Sequence, residues 1–120
     1  MLKRIKNLLN NNSLWLAILV TLIIVFLSLV KITGPQPINV KFLDKIEHTI
    51  AYTVLSFLWC VVFRNKTRKD VPVIGCISLG VLLEFLQAQT GYRTFEVNDM
   101  LANTLGVFIG MVLSKFYIKK

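Results

Sequence analysis

Histidine is nearly absent from this 120-residue chain: His48 stands alone, and the two cysteines, Cys60 and Cys76, sit inside apolar runs. A histidine-rich metal site is thereby excluded, and the cysteines have neither the spacing nor the setting of a disulfide framework or a zinc site. They read as small apolar residues. Acid is scarce as well, with 6 Asp and Glu against 14 Lys and Arg. The resulting formal charge of +8 does not make a nucleic-acid binder, because the basic residues fall in short clusters between apolar stretches and not along one folded face. No internal repeat or low-complexity segment is present.

Apolar residues are what the chain has in excess. They make up 55% of it, more than a soluble domain of this size has interior to hide. A bilayer supplies the missing apolar solvent. Leu14 to Val30 carries no charge and approaches the roughly 20 residues that cross about 30 Å of hydrocarbon at about 1.5 Å per residue. With Lys3, Arg4 and Lys6 before it, this run also resembles a signal peptide. Its length, and the lack of a small-x-small cleavage pattern in Val30-Lys31-Ile32-Thr33-Gly34, favour an uncleaved helix. Pro35 and Pro37 then break the helix, because each removes a donor and fixes φ.

Four helices are expected, at about 14–32, 45–63, 71–90 and 99–117, with Pro72 tolerated in the first turn of the third and Gly91 closing it. The expected fold is an all-α integral membrane four-helix bundle forming one domain over 1–120, multi-pass in the cell membrane. Lys3, Arg4, Lys6, Arg64, Lys66, Arg68, Lys69, Lys115, Lys119 and Lys120 would then lie on one side, against only Lys31, Lys41, Lys45 and Arg93 on the other. The positive-inside rule therefore puts both termini in the cytoplasm. Trp15 and Trp59 fit an aromatic belt near that side. Asp44, Glu47, Glu84, Glu96 and Asp99 fall toward the outer side, and only Asp70 is cytoplasmic.

Polar residues converge on the outer ends of the last three helices. Asp44, His48 and Tyr52 are spaced by four and stack on one face. Glu84 and Gln87 form an i, i+3 pair, with Glu84 submerged by about 10 Å at about 1.5 Å per residue. Asp99 and Asn103 share a face that continues into Gly106 and Gly110, a G-x-x-x-G able to admit another helix backbone. Arg93 precedes them in the connecting segment, and its planar fork suits phosphate or carboxylate. Such residues within spans are costly and usually face a cavity or each other.

The pattern Asp44-Lys45-x-x-His48-x-x-x-Tyr52, Glu84-x-x-Gln87, then Arg93 and Asp99-x-x-x-Asn103-x-x-Gly106-x-x-x-Gly110 closely resembles the VanZ-like family of bacterial membrane proteins. The resemblance covers about Lys41 to Ser114, and the first helix carries none of the signature. Some members place a second acid directly before the glutamate, where this chain has Leu83. The resemblance implies a small helical protein of the bacterial envelope; the family's named member is associated with resistance to the glycopeptide teicoplanin.

Two readings of the cluster stand. In one, an outward-facing site binds an anionic envelope or lipid-linked molecule and, in its catalytic version, acts on it. His48 and Glu84 then exchange a proton, Asp44 and Asp99 orient or polarise, Arg93 holds the anion, and Gln87, Asn103 and Tyr52 line the site. In the other, the cluster locks the helices together in a non-enzymatic accessory or assembly protein, with Asp44 and Glu47 as a helix capping box. No cofactor, metal or nucleic acid is expected under either. The expected partners are membrane lipids, the anionic ligand, and a second copy of the chain through Gly106 and Gly110.

Overall fold

The computed structural model describes residues 2–29, 40–89 and 97–119, without the side chains of 40–44 and 119. Four α-helices account for nearly all of it: α1 (Leu2–Leu29), α2 (Val40–Val62), α3 (Asp70–Gln89) and α4 (Val97–Lys119). Helix α1 begins a full three turns before the expected start near Leu14. Charge ends a membrane span but not a helix, and neither Pro nor Gly occurs between Leu2 and Leu29. Its polar side chains turn back on their own helix: Asn12 Nδ2 donates to the Leu8 carbonyl at 2.9 Å and Thr21 Oγ1 to that of Ala17 at 2.7 Å. Helix α2 likewise starts a turn early, which places Asp44 and Glu47 inside the helix and removes the capping-box reading, since a cap must flank the first turn.

The helices alternate in direction. Helices α2 and α4 run parallel, their contacts descending both together: Lys45 with Asp99, His48 with Asn103, Ser56 with Val107, and Phe57 edge-on to Tyr117 at 5.4 Å between ring centroids. Helix α1 runs against both. Thr21 Oγ1 accepts from Trp59 Nε1 at 2.9 Å, and at one end Asn10 accepts from the Tyr117 hydroxyl at 2.9 Å. Trp59 thus faces α1, whereas Trp15 is 71% exposed.

The distribution of polarity is inverted relative to a soluble bundle. Leu14, Leu22, Phe26, Phe85, Leu101 and Phe116 are exposed, while Ser56, Glu84, Gln87, Asp99, Asn103 and Ser114 are buried. Water would reverse that arrangement, and a hydrocarbon solvent stabilises it. Helices α1, α3 and α4 are long and apolar enough to cross a membrane.

Candidate functional site

The site is built on the close approach of α2 and α4. At Gly106 an added Cβ would lie 2.4 Å from the Thr49 carbonyl oxygen, and at Gly110 it would lie 2.3 Å from that of Thr53. Only hydrogen fits there. The G-x-x-x-G face expected to admit another helix is therefore occupied by α2 of the same chain, which leaves no room at these glycines for the homo-oligomer contact. Ser56 Oγ reinforces the seam by donating to the Val107 carbonyl at 2.9 Å.

This approach stacks polar groups in layers from one end inward. At the mouth Lys45 and Asp99 form a close ion pair, their side chains 24% and 9% exposed. One turn deeper, His48 Nδ1 meets Asn103 Oδ1 at 2.9 Å. Because an amide oxygen only accepts, Nδ1 carries the proton, and in the neutral ring Nε2 is the acceptor. A further turn down lies Tyr52, 2% exposed, whose ring abuts the Gly80 position. Asn103 flanks Gly80 as well, its side chain about 3.3 Å from where a Cβ would stand. Asn103 thus touches α2 through His48 and α3 through Gly80.

Helix α3 brings Glu84, 1% exposed, and Gln87, 3% exposed, to the same end. Gln87 Nε2 donates to the Ser28 carbonyl of α1 at 2.8 Å. Helix α1, which lacks any signature residue, therefore supplies a wall of the cluster. The structure brings together His48, Tyr52, Glu84, Gln87, Asp99 and Asn103 at one end of the bundle. Arg93 and the side chain of Asp44 lie outside the described residues.

Sequence reasoning missed Lys45, Gly80 and Ser28 as parts of the site. Lys45 was legible, since it stands in the Asp44-Lys45 pair and faces the expected depth of Asp99. Gly80, one turn before Glu84, carried a weaker signal. Ser28 contributes a backbone carbonyl, for which no side-chain pattern exists. Among the described residues no three His, Cys, Asp or Glu side chains gather closely enough to hold a metal ion.

An apolar exterior, polar layers buried at one end and helices of spanning length together define a multi-pass membrane protein. The chain belongs to the VanZ/LLP1 family, whose model matches residues 2–118. It is also similar to an uncharacterized protein of the fission yeast Schizosaccharomyces pombe, 33% identical over 90 residues, which cover 72% of this chain and 52% of that protein. The chain thus spans about half the length of that curated relative. No solved structure gives a significant match.

Proposed function

We propose that this protein crosses the membrane four times, with both termini in the cytoplasm, and that the polar layers of α2 to α4 bind the anionic headgroup of a lipid or lipid-linked molecule from the outer side. Helix α2 is the fourth span: its 23 residues run alongside α4, and its charges lie in its first turns. Lys3, Arg4, Lys6, Arg64 and Lys115 gather at the end opposite Glu84, which supports the orientation. The observation that carries the binding reading is Glu84, an acid 1% exposed on a helix long and apolar enough to cross a membrane, at the end of the bundle where His48, Gln87, Asp99 and Asn103 also gather. Packing alone does not call for it, since apolar residues of similar volume hold helices together without the desolvation penalty of a buried charge. Lys45 and Arg93 supply cations for the headgroup, while His48 and Glu84 handle a proton if chemistry follows binding.

The test is mass spectrometry of envelope molecules retained by the purified protein, wild type against Glu84→Gln. A specific anionic molecule should be lost from the variant while abundance and monodispersity are kept. Loss of abundance in step with loss of the ligand would favour the second reading, a helix-locking cluster in an accessory protein. That reading draws on the fact that Lys45, His48 and Gln87 each bond across to another helix.

A further inference from the structure

The opposite, basic end of the bundle carries a feature that the polar layers do not explain. A groove of about 510 Å³ opens between α3 and α4, walled by Val73, Ile74, Met111 and Ile118, with Lys69 and Lys115 at its mouth. Its volume is that of a small-ligand site. A second cavity of about 340 Å³ lies between α1, α2 and α3, and Phe63 and Pro72 line both. Two apolar chambers thus flank one partition, and a pair of lysines lines the larger of the two.

The charge at the mouth is net positive. Lys69 Nζ donates to the Phe63 carbonyl at 3.4 Å and closely to that of Arg64, so its ammonium is held at the end of α2. Asp70 is the only acid among the lining residues. Arg68 binds its carboxylate through two N–H groups at 3.0 and 2.9 Å, so the pair adds no net charge. Helix α3 also begins here, but its first N–H groups already meet the Asp70 carboxylate and Pro72 has none, so the attraction for an anion rests on the two lysines.

We propose that this groove holds an anionic phospholipid of the leaflet at the basic end, its phosphate between Lys69 and Lys115 and its acyl chains on either side of Phe63 and Pro72. The site is separate from the polar layers around Glu84. Charge complementarity chooses the occupant: a zwitterionic lipid fills the same apolar walls but gains less from the two lysines.

Native mass spectrometry of the full chain in mild detergent tests this, titrating dioleoyl phosphatidylglycerol against dioleoyl phosphatidylcholine. One phosphatidylglycerol should survive activation energies that strip phosphatidylcholine. Lys69→Gln with Lys115→Gln should weaken it roughly thirtyfold, about fivefold per lysine. Ile74→Trp, at a position 56% exposed, fills the groove without changing charge and should displace the lipid as well. Lys3→Gln with Arg4→Gln, on α1 at the same end, should leave binding within twofold. Equal retention of the two lipids would show annular lipid only and overturn the proposal. So would an inert Ile74→Trp, or an equal loss in Lys3→Gln with Arg4→Gln.

Discussion

Replacing both glycines of the α2–α4 seam with alanine tests whether the layered site depends on backbone contact. The added Cβ atoms would stand 2.4 Å from the Thr49 carbonyl oxygen at position 106, and 2.3 and 1.9 Å from the Thr53 carbonyl oxygen and Ser56 Oγ at position 110. Ordinary van der Waals contact begins near 3.4 Å, so α2 must retreat by about an ångström. Overpacking of this kind costs about 1–3 kcal/mol per site, and the better helix propensity of alanine returns about 1 kcal/mol at each. The pair should therefore lose about 2 kcal/mol. The same retreat stretches the 2.9 Å His48–Asn103 contact to nearly 4 Å, beyond hydrogen bonding. Fluorescence-detected size exclusion after heating should show the melting midpoint several degrees below wild type. Gly75→Ala, where nothing lies within 4 Å of the added Cβ, should melt at or slightly above wild type. A double variant that melts with wild type would refute the seam.

Trp59→Phe removes the 2.9 Å donation to Thr21 Oγ1 and should destabilise by about 1 kcal/mol in the same assay, as should Ser56→Ala through its lost bond to Val107. Asp99→Asn removes the carboxylate facing Lys45 and should lower the midpoint, while the exchange Lys45→Asp with Asp99→Lys should recover part of the loss. Cysteines placed at Asn39 and Tyr92 should react with an impermeant maleimide added to intact cells. Labelling only after the membrane is opened would reverse the orientation.

The depth of the polar cluster is legible in the amino-acid sequence because helical rise is fixed: counting from Val71 puts Glu84 about two thirds of the way along its span. The spacing of Asp99 and Asn103 likewise determines their common face. Partners are not legible. Helices α3 and α4 carry apolar residues on nearly every face, so periodicity does not say how each is rotated or which helix lies beside it. For that reason Gly106 and Gly110 announce a close helix contact without revealing that α2 makes it. The early start of α1 is obscured because Lys3, Arg4 and Lys6 end the apolar run, although a basic segment without proline or glycine continues a helix readily. Gln87 pairs with a carbonyl of α1, a contact that no side-chain pattern encodes.

An experimental density map of the protein in native lipid, read at the end of the bundle that holds His48, Glu84, Asp99 and Asn103, tests the central claim most directly. The expected result is headgroup density among these side chains, in contact with Lys45 or Arg93 and absent in Glu84→Gln. The contradicting result is a cluster closed on itself, its polar groups bonded only to one another and identical in wild type and variant.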